Sequence, residues 1–73
     1  MGADRLRPGM VRDAIMEYLS HEESEASVAA IQTAVSRRLD RTIPPSSVRS
    51  YLNLNQPTLF TRTKRGYYRL TRP

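Results

Sequence analysis

Cysteine is absent from the 73 residues, so neither a disulfide framework nor a thiolate metal site is open to this chain. Tryptophan is absent too, and the aromatics are one Phe and four Tyr. A single domain this small buries only roughly 60% of its unfolded surface, which leaves little room for an enclosed substrate pocket. The glycines stand at positions 2, 9 and 66, too scattered to form a phosphate-cradling loop. No apolar run approaches the roughly 18 residues of a transmembrane helix, and the N-terminus lacks the core of a signal peptide; the expectation is a soluble, cytoplasmic protein without membrane contact. The one histidine, His21, lies beside Glu22 and Glu23 in a polar stretch, a poor place for a base poised against a nucleophile. Paired carboxylates occur only in that same stretch. The sequence therefore predicts no enzyme activity, no metal and no cofactor.

Acidic residues are scarce in one half. From Met1 to Ser36 there are three basic residues against six acidic, a net of −3; from Arg37 to Pro73 there are nine basic residues against Asp40 alone, a net of +8. The modest total of +5 thus hides a strong polarity along the chain. A basic surface with few acids is an electrostatic footprint for nucleic acid, because neutralising phosphates releases counterions. An anionic membrane is the weaker alternative, since no helix pairs a basic face with an exposed apolar one.

Met1–Arg7 is polar and predicted to be a flexible segment, with the domain spanning 8–71 and 72–73 forming its end or the start of a linker. From Pro8 the pattern turns helical, with Val11, Ala14, Ile15, Tyr18 and Leu19 on the stripe spacing of a core-facing helix that ends near Ser20-His21. Glu22-Glu23-Ser24-Glu25 is an acidic turn. The segment after this turn admits two readings: a short strand Ala26-Ser27-Val28 before a helix from Ala29, or a Ser27 cap with the helix starting at Val28. Either way the second helix runs to about Leu39, with Ile31, Ala34, Val35 and Leu39 inward and Arg37 and Arg38 against the negative end of its dipole.

Ile43-Pro44-Pro45 cannot be helix interior, but proline fits a first turn, so a third helix starts at about Pro45 with Ser46 or Ser47 available to its free N–H groups. With Val48, Tyr51, Leu52 and Asn55 inward, Ser46, Ser50 and Asn53 face outward with Arg49 at their edge. That face is uncharged and donor-rich, unlike a solvated helix laced with Glu and Lys pairs. Phe60–Thr63 and Tyr67–Thr71 then read as strands joined by Lys64-Arg65-Gly66, where glycine supplies a positive φ. Alternation puts Tyr68 and Leu70 with Phe60 on one face and Tyr67 and Arg69 on the other, and leaves Arg62, Lys64 and Arg65 at a cationic tip.

Three helices followed by a two-stranded basic hairpin, with room for a third short strand, is an α+β winged helix-turn-helix. In that architecture the third helix enters the major groove and the wing touches backbone or minor groove. The candidate contacts with double-stranded DNA are Ser46, Ser47, Arg49, Ser50 and Asn53 on the helix, and Arg62, Lys64, Arg65 and Tyr67 on the wing. Arg49 suits guanine and Asn53 adenine, and both suit phosphates as well. The alternative is a protein-interaction or dimerisation module, with Leu54, Leu59 and Tyr67 as its exposed apolar patch.

The run P-S-S-V-R-S-Y-L-N-L-N, followed after a gap by F-T-R-T-K-R-G-Y-Y-R-L, resembles the small winged-helix domains attached to prokaryotic DNA methyltransferases and other restriction-modification or nuclease proteins. The likeness covers Pro45 to Leu70 and extends more loosely to P-G-M-V-R-D-A-I in the first helix. It implies a DNA-recognition module with a fused or associated catalytic domain, or a small transcription regulator. The chain itself departs from the methyltransferases in having no Asn/Asp-Pro-Pro-Tyr/Phe stretch and no glycine-rich cofactor loop.

Overall fold

Each predicted helix forms where an apolar stripe meets a local stop signal. In a computed structural model describing residues 9–71, α1 spans Met10–Ser20, β1 Ala26–Ser27, α2 Val28–Leu39, α3 Pro45–Leu54, β2 Phe60–Lys64 and β3 Tyr67–Leu70. The expectations for Met1–Arg7 and for 72–73 lie outside the described residues. The result is an α+β winged helix, as the element order predicts. None of its described helices is long and apolar enough to cross a membrane.

Ser27 resolves the two readings of its region by serving both. It is the last residue of β1, and its side-chain oxygen accepts from the Ala30 N–H at 3.0 Å as the N-cap of α2. The same junction receives the wing, because the Val28 N–H donates to the Gly66 carbonyl at 3.0 Å. At the other end of α2, Asp40 takes a left-handed conformation (φ 55) that stops the helix. The connector to α3 is pinned from α2: Gln32 donates to the Ile43 carbonyl at 2.8 Å, and the Ile43 N–H donates to the Ser36 hydroxyl at 3.0 Å. Ile43, which its place beside two prolines did not mark as core, is thereby buried.

The expected serine cap of α3 does not form. Pro44 is its N-cap, no side chain caps the first turn, and the Ser47 N–H bonds back to the Pro44 carbonyl at 3.0 Å. Proline at the first helical position removes one of the donors a cap would serve, so the requirement is smaller. Asn55 ends the helix and begins the hairpin: its side chain donates to the Tyr51 carbonyl at 2.8 Å, while its own carbonyl accepts from Leu59 and Phe60.

The sheet is antiparallel in the order β1-β3-β2, so the optional third strand is present and the hairpin is not a free two-stranded arm. Phe60 pairs with Leu70 and Arg62 with Tyr68, then a bulge intervenes and Lys64 pairs with Tyr67. Ala26 pairs with Tyr68 on the other side of β3. The inner face of this sheet closes one apolar core in which Ile15, Leu19, Ile31, Val35, Val48, Leu52 and Phe60 are fully buried. Phe60 is the largest of them, and it ties the wing to all that the helices contribute.

A domain of this length has on the order of 4–11 kcal/mol of stability. Truncating a fully buried Phe costs about 3–5 kcal/mol. Phe60→Ala is therefore expected to remove most of the cooperative folding transition in urea, whereas Leu54→Ala, at an 80% exposed position, leaves it within about 0.5 kcal/mol of wild type.

Candidate nucleic-acid interface

Helical geometry brings Ser46, Arg49, Ser50 and Asn53 onto one exposed stripe of α3, at i, i+3, i+4 and i+7. Val48 and Leu52 anchor the opposite face at zero exposure. Ser47, expected on the outer face, lies on the flank and is half-buried. Asn53 is exposed but engaged: its carboxamide oxygen accepts from the Tyr68 hydroxyl at 2.8 Å. An adenine pair through Asn53 therefore requires that oxygen to take a second hydrogen bond, and the residue's visible role is to tie α3 to the wing.

The wing root is closed by hydrogen bonds from Thr71, whose N–H reaches the Leu59 carbonyl and whose hydroxyl reaches the Pro57 carbonyl, both at 2.8 Å. Its turn, Arg65-Gly66, has the glycine at φ 80 as predicted and is held to the start of α2 by the Val28–Gly66 bond. The wing therefore lies against the body, and this brings its inner face close to α3. Arg49 from α3 and Arg62 and Arg65 from the wing line one open cleft of about 250 Å³, floored by Val28, Gly66 and Tyr68. None of the three arginines has an ion-pair partner among the described residues.

Lys64 is not part of that cluster. The sequence places Lys64 with Arg62 and Arg65 at the cationic tip and in the turn, whereas β2 extends through Lys64. The bulge after Arg62 inserts Thr63 and sets Lys64 opposite Tyr67, on the outer face. There its ammonium lies 3.1 Å from the Glu25 carboxylate and 4.6 Å from the centre of the Tyr67 ring. Hydrogen bonding from the Thr63 side chain and then from Lys64, with Arg69 nearby, holds the Glu25 carboxyl below its ordinary range.

Glu25 and Thr63 are thus members of the wing surface that sequence reasoning missed. Their one signal was position: Glu25 directly precedes a strand whose partner, β3, lies about forty residues away. Of the apolar residues held for a protein-interaction patch, Leu54 is 80% exposed and Tyr67 37% exposed, but Leu59 packs against the core. His21 is exposed, and the described residues contain no cluster of His, Asp and Glu able to hold a metal.

Comparison with known proteins adds to the fold. No protein-family model and no curated protein matches the chain. Among solved structures it is similar to the one described as the solution structure of the DNA-binding domain of Rok, with a TM-score of 0.69, 19% sequence identity, and coverage of 90% of this chain and 68% of that one. At that identity the likeness speaks for a shared winged-helix fold.

Two outcomes test this geometry. Tyr68→Phe removes the hydroxyl that joins wing to α3 and is expected to cost about 0.5–1.5 kcal/mol in urea unfolding, with the core intact. The Glu25 carboxyl, whose folded pKa is depressed, contributes stability that is present above its ordinary pKa of 4.5 and is lost as pH falls through the folded value. Glu25→Gln should therefore unfold at slightly lower urea than wild type at pH 7, and the two should converge in acid.

Proposed function

We propose that this domain binds double-stranded DNA, with the outer stripe of α3 entering the major groove and the inner face of the wing on the phosphate backbone. The observation that carries the reading is the cleft in which Arg49, Arg62 and Arg65 converge without internal partners. Arginines left unpaired at close quarters repel one another, and a phosphodiester relieves that repulsion while accepting their forked donors. Ser46 and Ser50 present small donors beside them, which lets a helix approach base edges closely. Among the other described cations, Arg12 pairs with Asp13, Arg38 with Glu17, and Lys64 with Glu25.

Arg49 has a modified role in this reading. Because it lines the cleft with two wing arginines, its first contact is phosphate, and Ser46, Ser50 and Asn53 are left to face bases. The DNA-binding domain of Rok, similar in fold, supports DNA as the partner class. The resemblance of residues 45–70 to winged helices of prokaryotic DNA-modifying enzymes supports a finer form of the proposal, in which the domain positions a fused or associated methyltransferase or restriction component on DNA in the cytoplasm. A protein-interaction role is less favoured, since Leu59 is withdrawn into the core and single exposed apolar residues are ordinary.

The test is a salt titration of binding to a short random-sequence duplex. Each phosphate engaged contributes a slope of about −0.9 in log affinity against log salt. Arg49→Ala and Arg65→Ala should each weaken binding on every sequence and reduce the slope by about that amount. Failure of the wild-type domain to bind at about 50 mM salt, where a few phosphate contacts suffice, would remove the proposal.

A further inference from the structure

The two faces of the wing are electrostatically unlike, and the difference traces to one carboxylate. On the inner face Arg62 and Arg65 stand unpaired beside Arg49. On the outer face Lys64, Arg69 and Tyr67 offer two more cations and an aromatic ring, yet Glu25 sits among them, 3.1 Å from the Lys64 ammonium. Three independent features put it there. The β1–β3 pairing fixes Ala26 opposite Tyr68, which brings Glu25, the residue before β1, alongside the central strand β3. The bulge turns Lys64 to that same side. Thr63, the bulged residue, hydrogen-bonds the carboxylate.

Fold stability does not call for this arrangement. An ion pair with a 62% exposed lysine contributes little, because water screens it and two side chains lose freedom to make it. Its effect on a polyanion is larger. A phosphate approaching Lys64 must displace Glu25 or share the cation with it, and the carboxylate repels the rest of the backbone in either case.

We propose that Glu25 is a specificity-determining residue of the DNA-binding surface, withholding the outer face of the wing from phosphate and confining the duplex to the side of α3 and the arginine cleft. This rests on the DNA-binding reading above. Its purpose in physical terms is to limit contacts that carry no sequence information: each phosphate engaged adds affinity for all DNA alike, whereas contacts confined to the α3 side keep the helix in register with base edges. Lys64 is therefore silent in the native protein, although its position at the wing tip suggests otherwise.

The experiment measures affinity for a random-sequence duplex by fluorescence anisotropy between about 50 and about 200 mM salt, a span over which one phosphate contact is worth a factor of about 3. The proteins are wild type, Glu25→Gln, Lys64→Ala, the Glu25→Gln/Lys64→Ala double variant, and Glu23→Gln, which changes net charge equally at an exposed site in the same turn. Glu25→Gln should bind about threefold or more tightly at low salt with a slope steeper by about 0.9. Lys64→Ala alone should change little, and in the double variant it should abolish the gain. The inference is overturned if Lys64→Ala alone is as costly as Arg65→Ala, if Glu25→Gln leaves the slope unchanged, or if Glu23→Gln reproduces its effect. Absence of binding by the wild type itself overturns instead the DNA reading on which the inference stands.

Discussion

Tyr68 carries the constraint on which the candidate binding surface depends. Its ring closes the inner face of the sheet at 5% exposure, and its hydroxyl emerges to donate to Asn53 on α3. A phenol is suited to this position because one end prefers the core and the other needs a partner. Phenylalanine would serve the core alone, and an aliphatic residue would not reach. Through this one side chain, the hydrophobic packing that holds the wing also sets the distance between wing and helix. The arginine cleft is the space that this distance leaves open. A binding site assembled from two elements needs its geometry fixed before the ligand arrives, and the Tyr68–Asn53 contact would supply that for the proposed site.

The charges show a complementary division. Arg12 and Arg38 are matched by Asp13 on the same helix and Glu17 across the α1–α2 contact, which leaves the supporting helices nearly neutral in their local field. Arg49, Arg62 and Arg65 are left unmatched in a part of the chain that holds a single acid, Asp40. Mutual repulsion there lowers the stability of the free domain, and a core of seven fully buried side chains must offset it. Departures from local optimality are expected at functional sites, which is consistent with the role proposed for the basic cleft.

How far the sequence discloses this depends on the range of the interaction concerned. Helix positions were legible because they rest on local spacing: Val11, Ile15 and Leu19 on one stripe, Val48 and Leu52 on another, Pro45 at a start and Gly66 at a turn. The winged-helix order followed from those elements, and so did the exposure of Ser46, Arg49, Ser50 and Asn53. The illegible features are those that a non-local pairing decides. Ser27 was open to two readings because its cap is local while its strand partner is Tyr67. The face taken by Lys64 was not legible, because the sequence placed it only at the tip and nothing in F-T-R-T-K marks the extra residue of a bulge. Ile43 is held at the core by a hydrogen bond from the Gln32 side chain to its carbonyl and one from its own N–H to the Ser36 hydroxyl, and the reach of those two polar residues across the turn depends on how α2 and its connector fold back.

The bulge also explains how a basic wing comes to have two faces of different charge. Without it, alternation would turn Lys64 to the same inner face as Arg62, crowding another cation toward Arg49 and away from Glu25. With it, Arg62 of β2 and Arg65 of the turn line the cleft while Lys64 goes to the opposite side, where Glu25 meets it just before β1. A single extra residue, Thr63, thus divides the cations of a short hairpin between two faces of different potential. The division costs one irregularity in a sheet already ending at its tip, where ladder hydrogen bonds contribute least, and it is fixed by backbone pairing on both sides of β3 rather than by flexible side chains. Charge placement on this surface is therefore a property of strand register, and changes that shift the register alter the surface even where they leave every charged residue in the sequence.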